Sequence, residues 1–271
     1  MRADQLLLQR QLATSRAQAQ RLIASGVRWR PDTAAEAAWK TVGKNSDELP
    51  VDAHLELLDV AEARYVSRGG LKLEGALKAT GVTVAGQTCL DVGQSTGGFT
   101  DCLLQHGASR VVGVDVGQGQ LHPAMRAHPL VVALEHINAR ELSVDDILAA
   151  IEDHDADAGP DDEGTAFDGQ FDVIVGDLSF ISQTLVLPAL VPMLRVDGHL
   201  LMLVKPQFEL QPGQVGKGGI VKDASLYAFV ENRIRDCLAE LDMKVLHWMD
   251  SPITGGDGNR EFFVHAVPQP A

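Results

Sequence analysis

Short apolar runs alternate with longer mixed segments along the chain from residue 64 onward. The apolar runs predict strands at 88–93, 110–117, 130–138, 171–180 and 199–207. Segments typical of helices lie between them, at 98–107, 119–127, 143–152 and 182–195. A helix at 225–241 then leads to two more strand-like runs, 243–252 and 260–268. The alternation predicts an α/β fold, a doubly wound parallel sheet that an antiparallel pair closes.

The first 30 residues have a different pattern, with two short helical repeats between residues 5 and 24. Leu6, Leu7 and Leu12 give the first helix an apolar face. Ser15 is a predicted N-cap for the second helix, which Gly26 ends. The spacing resembles that of S4-type RNA-binding domains, small α+β modules that lay two helices on structured RNA. Residues 44–58 are similar to the closing strand region of that domain, whereas 28–43 is enlarged and lacks its usual turn.

Charge is distributed unevenly along the chain. The net charge is −14, but residues 1–30 contain six arginines and one acid, for a local charge of +5. The remainder carries −19, much of it in the acidic run 152–164, which predicts a solvated loop. The acidic total therefore does not exclude a nucleic-acid partner for the basic end.

Composition narrows the class of protein. No apolar stretch approaches the roughly 18 residues that a membrane helix needs, and the amino end lacks the pattern of a signal peptide. Cys89, Cys102 and Cys237 lack metal-ligand spacing and suit a reducing compartment. We expect a cytoplasmic protein with no structural metal and no membrane partner.

A glycine-rich turn follows the first predicted strand of the larger region. Residues 90–104 read LDVGQSTGGFTDCLL, a strand, a turn and the start of a helix. In an open parallel sheet this turn faces the ligand crevice, because backbone amides and the helix N-terminus point into it. The turn contains neither the G-x-G-x-x-G fingerprint nor a P-loop lysine, which counts against a nicotinamide cofactor and against ATP.

The acids around this turn have a spacing that indicates another cofactor. Asp91-x-Gly93 begins the turn, and Asp115 ends the next strand, 24 residues on. This pattern resembles the site of Rossmann-like methyltransferases that use S-adenosylmethionine, in which the second acid binds the ribose hydroxyls. The resemblance implies cofactor contacts by Asp91, Gly93, Ser95, Gly97, Gly98, Phe99, Asp115, Asn138 and Asp177. The alternative is that these acids merely cap helices and turns.

Two lysines and two acids are predicted to meet beside this crevice. Lys72 lies in a helix before the first strand, Lys205 ends a strand, and Glu261 begins the last strand. With Asp177 they can converge, since neighbouring strands of a doubly wound sheet open on one crevice. A lysine acts as a base only when its pKa falls well below about 10.4, which burial and a second ammonium favour. Two independent salt bridges, Lys72–Glu261 and Lys205–Asp177, are the structural alternative.

Lys72, Asp177, Lys205 and Glu261 match the catalytic Lys-Asp-Lys-Glu tetrad of FtsJ-like RNA 2'-O-methyltransferases. The words SRGGLKL, DVGQSTGGFTD, DLSFIS, LVKPQFE and SPITGGDGNREF are similar to those of the TlyA, or hemolysin-A-like, family. That family joins an S4-type domain to this fold and methylates cytidine ribose in ribosomal RNA. The resemblance implies an enzyme that uses S-adenosylmethionine and acts on ribosomal RNA or ribosomal subunits.

The same resemblance implies domain limits and RNA contacts. It places an S4-type domain at 1–62, a linker at 63–66 and a methyltransferase domain at 67–268. Candidate RNA contacts are Arg2, Arg10, Arg16, Arg21, Lys217, Lys222 and Arg260. Exposed loop lysines are more often only solvated, and phosphate contact is the less frequent role. Phe180 and Phe208 can stack a flipped base, although core packing is the more frequent role of such residues.

Three features depart from the family, and three other functions stay open. The departures are the insertion 152–170, the enlarged segment 28–43 and Gln94, which can narrow the cofactor pocket. Base amino-group methyltransferases usually carry prolines after the fourth strand, and residues 177–180 have none. A membrane-active cytolysin, or hemolysin, needs an amphipathic or spanning stretch that the sequence lacks. An RNA-binding assembly factor with a vestigial enzyme fold would have no use for an intact tetrad.

Overall fold

The computed structural model describes residues 1–31, 38–58, 64–158, 167–255 and 258–269. The chain divides into two compact units, Met1–Leu71 and Lys72–Ala271. The predicted linker 63–66 and the enlarged segment 28–43 fall partly outside the described residues.

The first unit packs two helices against a small antiparallel sheet. Its elements are α1 (Ala3–Gln9), α2 (Arg16–Gly26), β1 (Val27–Arg30), β2 (Lys40–Thr41) and β3 (His54–Leu57), with the strand order β2-β1-β3. Ser15 caps α2 as predicted, since its hydroxyl accepts a hydrogen bond from the Gln18 amide at 3.2 Å. The two helices contribute Leu6, Leu7 and Leu22 to the core of this unit. The identification as an S4-type domain stays a prediction.

The second unit is built on a mostly parallel sheet, which confirms the predicted fold class. Its strands are β4 (Thr88–Val92), β5 (Arg110–Val114), β6 (Val131–Leu134), β7 (Phe171–Gly176), β8 (Leu194–Val204), β9 (Met243–Asp250) and β10 (Phe262–Pro268). Their order is β6-β5-β4-β7-β8-β10-β9. Strands β4 to β8 run parallel to their neighbours, whereas β10 is antiparallel to β8 and β9, as predicted for the closing pair.

Helices follow most of these strands and bury them. The helices are α3 (Gly69–Thr80), α4 (Gly98–Gln105), α5 (Pro123–Arg126), α6 (Val144–Ala158), α7 (Leu187–Leu190), α8 (Pro206–Glu209) and α9 (Ser225–Glu240). Every residue from Leu200 to Val204 in β8 is fully buried. A strand that is covered on both faces carries apolar residues at consecutive positions, which explains the uninterrupted run in the sequence.

Prolines account for the largest differences from the predicted elements. The segment 182–195 is not one helix, because Pro188 and Pro192 each lie in the first turn of a new short helical piece and do not continue the previous one. Strand β8 begins earlier than predicted, at Leu194, and ends at Val204, because Pro206 begins α8. The predicted strand 130–138 ends at Leu134, so Asn138 lies in the loop beyond it.

Two further helix limits differ from prediction. Only Pro123–Arg126 is helical within the predicted helix 119–127. Helix α6 extends to Ala158, so the first part of the acidic run 152–164 is helical and its interpretation as a loop is wrong there. Acidic residues close to the amino end of α6, Asp145 and Asp146, complement the helix dipole. Residues 159–164, the remainder of that run, lie outside the described residues.

Candidate active site

The strand order reverses between β4 and β7, which creates a crevice at the carboxyl ends of these two strands. From β4 the sheet extends to β5 and β6 on one side and to β7 and β8 on the other. In open α/β sheets, ligands bind at such a switch point. Gly93 follows β4 and Asp177 follows β7, so both lie at the edge of this crevice.

The glycine-rich turn packs closely against the end of β7. Gly93 has a φ of +83°, and a Cβ atom there would lie 2.7 Å from the Asp177 carbonyl oxygen. Gly97 has a φ of +89° and precedes α4, and a Cβ atom there would lie 2.8 Å from Leu121 Cδ1. Both positions therefore require glycine.

A cavity of about 560 Å³ occupies the crevice. Among the predicted cofactor contacts, the residues that line it are Gly93, Ser95, Asp115, Asn138 and Asp177. Its volume is within the roughly 300–1,000 Å³ that is usual for sites of small molecules and cofactors.

Asp115 is fixed at the end of β5 by the backbone on either side of the cavity. The Ser95 amide donates to Asp115 Oδ2 at 2.8 Å, and the Gly117 amide donates to Oδ1 at 2.7 Å. A carboxylate has about four acceptor positions, so each oxygen can accept a further hydrogen bond. Asp115 is therefore oriented to receive two hydroxyl donors from a ligand.

Asp91, Gly97, Gly98 and Phe99 do not line this cavity: Asp91 and Phe99 are buried, and Gly97 and Gly98 join the turn to α4. Asp91 is fully buried and accepts a hydrogen bond from Thr100 Oγ1 at 2.7 Å. Burial raises the pKa of Asp91 to about 7. The structure therefore gives these four residues a supporting position, and their direct contact with a cofactor stays a prediction.

Gln94 does not narrow the cavity, so that expectation was wrong. Its side chain is buried, and its Nε2 donates to Thr100 Oγ1 at 2.9 Å. It lies over Gly113 of β5, where a Cβ atom would be only 1.9 Å from Gln94 Nε2. The absence of a side chain at Gly113 is what admits Gln94 beneath the turn.

The predicted lysines and acids meet as one connected set. Lys205 Nζ lies 2.5 Å from Asp177 Oδ1, and Lys72 Nζ lies 2.6 Å from Glu261 Oε2. Asp177 Oδ2 lies 3.9 Å from Lys72 Nζ and joins the two pairs, so they are not independent salt bridges. Two cations and two carboxylates balance, which offsets part of the cost of burying them.

Strand register explains why these residues converge. Strand β7 pairs with β8 through Gly176 and Met202, so Asp177 and Lys205 follow neighbouring strand ends. Strand β10 is antiparallel to β8 and pairs Phe262 with Val204, which brings Glu261 to the same edge. Lys72 comes from the first turns of α3.

Two loops after β7 and β8 carry further side chains that the sequence did not single out. We call residues 177–183 the Asp177 loop and residues 205–209 the Lys205 loop, although Pro206–Glu209 of the latter form the one-turn helix α8. Ser179 accepts a hydrogen bond from Lys205 Nζ at 2.8 Å. Glu209, which is buried, accepts hydrogen bonds from Ser182 Oγ at 2.5 Å and from the Gln183 amide at 2.7 Å. The only signal in the sequence was an acid within the word LVKPQFE.

Phe180 and Phe208 lie between these two sets of contacts. Their ring centroids are 5.0 Å apart. Phe180 is 90% exposed and has a φ of +64°, so the expectation of core packing was wrong for this residue. A second hollow beside the first is lined by Asn138, Arg140, Phe180, Ile181, Leu185 and Phe208.

The basic residues of the first unit are engaged with their own domain. Arg2 and Arg16 both pair with the buried Asp4, at 2.9 and 3.2 Å. The hydrogen bond from Arg2 is the main cause that lowers the pKa of Asp4 to about 2. Arg10 Nη2 donates to the Val51 carbonyl oxygen at 2.9 Å, and Arg21 is half-buried. Their RNA contacts stay predictions.

The basic residues of the second unit differ in exposure. Lys217 and Lys222 are exposed on the loop before α9. Arg260 forms a two-point pair with Asp250, at 2.5 and 2.9 Å, and its guanidinium lies over the rings of Tyr227 and Phe262. This geometry gives Arg260 a structural task, and its contact with RNA stays a prediction.

Comparison with known proteins shows the family to which this chain belongs. Residues 65–267 match the model of the FtsJ-like methyltransferases. The chain belongs to the FtsJ-like methyltransferase family. This methyltransferase is 41% identical over 263 residues to the 16S/23S rRNA (cytidine-2'-O)-methyltransferase TlyA of Mycobacterium tuberculosis, covering 97% of this chain and 88% of the relative. It is 34% identical over 267 residues to hemolysin A of Brachyspira hyodysenteriae, covering 98% and 100%. The resemblance to the TlyA, or hemolysin-A-like, family is confirmed.

Solved structures support the same grouping. A hemolysin-like protein of Streptococcus thermophilus is 34% identical to this methyltransferase, with a TM-score of 0.70 over 99% of this chain and 90% of that one. An S-adenosylmethionine-dependent methyltransferase of Listeria monocytogenes is 15% identical, with a TM-score of 0.50 over 74% of this chain and 99% of that one. The second likeness shows the fold alone.

The described residues contain no group of three or more His, Cys, Asp or Glu side chains placed to hold a metal ion. Within the same ranges, no helix has the length and apolar character needed to cross a membrane.

Proposed function

We propose that this methyltransferase transfers a methyl group from S-adenosylmethionine to the 2'-hydroxyl of cytidine ribose in ribosomal RNA. The observation that carries the proposal is the connected set of Lys72, Asp177, Lys205 and Glu261 at the edge of the cavity. Relatives named for cytidine 2'-O-methylation of ribosomal RNA support the substrate class. Free ribosomal RNA or a ribosomal subunit is then the partner, and the cytoplasm, where both are found, is the location.

The residues that line the cavity fit S-adenosylmethionine. Asp115 has the remaining acceptor positions that two ribose hydroxyls need, and Asn138 offers amide groups for an adenine edge. At Gly93, only a hydrogen atom occupies the space beside Asp177, which leaves bare backbone for the methionine end. When bound, the cofactor supplies an activated methyl group that the ribose oxygen takes from its sulfur.

Lys205 is the proposed base of the reaction. As the neutral amine it takes the proton of the 2'-hydroxyl, which makes the ribose oxygen a better nucleophile. Asp177 and Ser179 contact the Lys205 nitrogen and fix its position. Lys72 contacts Asp177 in turn and is itself paired with Glu261, so the four groups act as a unit.

Phe180 and Phe208 are the proposed stacking surface for the target base. Exposed aromatic rings are costly to keep in water, and Phe180 also has an unfavourable backbone conformation. Base–aromatic stacking contributes roughly 1–3 kcal/mol per base. A flipped nucleotide that stacks on this pair would lie next to the Lys205 loop, whose first residue, Lys205, is the proposed proton acceptor.

The alternative, methylation of a base amino group, has less support in the site. The segment after β7 reads Asp-Leu-Ser-Phe and contains no proline. An amino group of a base also needs no proton acceptor as strong as an amine, so the two lysines would be without a task.

Alkaline hydrolysis distinguishes the two reactions. The enzyme is incubated with a methyl-labelled cofactor and ribosomal RNA from cells that lack the protein. A 2'-O-methyl group blocks cleavage at its nucleotide, so we expect the label in alkali-stable dinucleotides. We expect Lys205→Ala to bind the cofactor normally but to transfer no methyl, and the exposed Lys244→Ala to behave as wild type. Label in mononucleotides would indicate base methylation and contradict the proposal.

A further inference from the structure

The Asp177 loop and the Lys205 loop are joined at both ends. At the start, Lys205 Nζ contacts Asp177 Oδ1 and Ser179 Oγ, at 2.5 and 2.8 Å. At the far end, Glu209 accepts hydrogen bonds from Ser182 Oγ and the Gln183 amide. The ring pair of Phe180 and Phe208 lies between the two junctions. The two loops and the contacts at their two ends therefore form a closed ring of residues, which we call the frame. Glu209 makes the contacts at one end, which we call the Glu209 corner.

The Glu209 corner is buried and braced from outside. Glu209 is 2% exposed, and burial raises the pKa of its carboxyl even though two donors contact it. Arg233 of α9 donates to the Glu209 carbonyl oxygen at 2.9 Å and to Thr184 Oγ1 at 3.4 Å. Gln183 Nε2 donates to the Leu203 carbonyl oxygen of β8 at 3.0 Å. Burying a carboxyl group is unfavourable unless its hydrogen bonds compensate, so its presence here calls for a reason beyond packing.

We propose that Glu209 is a positioning residue that sets the distance between the proton acceptor and the target base. It contacts no reacting atom, and it acts through Ser182 and Gln183 on the Asp177 loop and through the backbone on the Lys205 loop. The proposal rests on the proposed function, because it assigns a task to residues of that same site. Small displacements of catalytic groups reduce rates strongly, by about 100-fold for 1 Å.

Steady-state kinetics with cofactor and ribosomal RNA test the proposal. We expect Glu209→Ala to lower kcat by roughly 30-fold to 100-fold. The Kd for the cofactor should rise much less than kcat falls, because the Asp177 loop forms only part of the cavity lining, and the glycine-rich turn and Asp115, which form other parts, make no contact with Glu209. Glu209→Gln should restore most of kcat, since its amide oxygen still accepts from the Gln183 amide and its amide nitrogen can donate to Ser182 Oγ.

A buried variant distant from the loops controls for general destabilisation. Ile147→Ala in α6 removes a fully buried side chain and should lower the melting temperature without lowering kcat at temperatures where the protein is folded. Unchanged kcat in Glu209→Ala would overturn the proposal. A loss of kcat no greater than that of Ile147→Ala would overturn it as well. A rise in the Kd for the cofactor in proportion to the fall in kcat would also overturn it.

Hydrogen exchange measured without substrate keeps this test separate from that of the proposed function. We expect Glu209→Ala to increase amide exchange in residues 178–185 and 206–210 and to leave β4 and the glycine-rich turn unchanged. If wild type transferred no methyl to ribosomal RNA and Glu209→Ala still increased exchange in these residues, the proposed function would be refuted. The structural role of Glu209 in joining the two loops would then still be supported. Unchanged exchange in both loops would overturn the frame itself.

Discussion

Lys72 and Glu261 form the more deeply buried ion pair of the site, with side chains 10% and 3% exposed. Removing one partner of a buried pair costs roughly 3–5 kcal/mol, whereas replacing both by apolar groups is often nearly neutral. We expect Glu261→Leu to be strongly destabilised and Lys72→Met/Glu261→Leu to regain most of the free energy of unfolding. Urea denaturation of both variants measures this difference.

The same double variant separates catalysis from stability. We expect it to fold but to transfer no methyl, because Asp177 then loses the Lys72 contact that fixes its second oxygen. A folded double variant with wild-type turnover would mean that the pair only joins α3 to the start of β10.

Asp91 makes the stability of the second unit depend on pH. Burial raises its pKa from 3.8 to about 7. Between about pH 3.8 and pH 7, the folded protein therefore keeps a proton on Asp91 that the unfolded chain has released. The resulting stabilisation is fully present below pH 3.8 and is lost as the pH rises to about 7. A shift of this size corresponds to about 4 kcal/mol.

Asp91→Asn tests this linkage, because asparagine has no proton to lose. We expect the free energy of unfolding of wild type, relative to that of Asp91→Asn, to fall between pH 4.5 and pH 7.5. Urea denaturation at several pH values gives the difference directly. A difference that stays constant over this range would show that Asp91 has no raised pKa.

Single side chains were also the least predictable level of the site. The four charged residues were found because their types match a known chemistry. Ser179 and Glu209 were not, since a serine and an acid within a loop carry no periodic signal. Their roles depend on which backbone amides and side chains the two loops bring together, and that is fixed only by tertiary packing.

At the scale of elements, the glycine-rich turn holds the cofactor pocket open. Gly93→Ala would place a methyl group 2.7 Å from the Asp177 carbonyl oxygen, at a φ that disfavours alanine. We expect cofactor binding, measured by calorimetry, to weaken at least ten-fold. Gly86→Ala is the matched control, since Gly86 has a φ of +74° but no atom within 4 Å of the added Cβ. If both variants bound the cofactor as wild type does, the turn would not shape the pocket.

Element type was more predictable from the sequence than element limits. The apolar runs gave β4, β5, β7 and β8 because strands buried on both faces have few polar positions. The broken helix around Pro188 and the extension of α6 were missed. In the first case the proline signal was overlooked, and in the second an acidic composition was taken as a loop although it is compatible with an exposed helix.

At the scale of the whole molecule, a basic amino end, residues 1–30 with a charge of +5, precedes a remainder that carries −19. Removing residues 1–62 deletes all six arginines of the first 30 residues. We expect the truncated protein to bind ribosomal RNA more weakly than full-length protein while its cofactor affinity is unchanged, because the cavity lies entirely in the second unit. Filter binding for RNA and calorimetry for the cofactor check this. Equal RNA affinity of the two forms would refute an RNA-binding role for the first unit.

Mapping of 2'-O-methylated cytidines in ribosomal RNA is the most direct test of the account. Ribosomal RNA is taken from cells that lack the protein and from the same cells supplied with wild type, Lys205→Ala or Lys244→Ala. We predict that at least one cytidine is 2'-O-methylated with wild type and Lys244→Ala and unmodified in the other two. No wild-type-dependent site, a methyl group on a base, or full modification by Lys205→Ala would contradict the assignment of Lys205 as the base of ribose methylation.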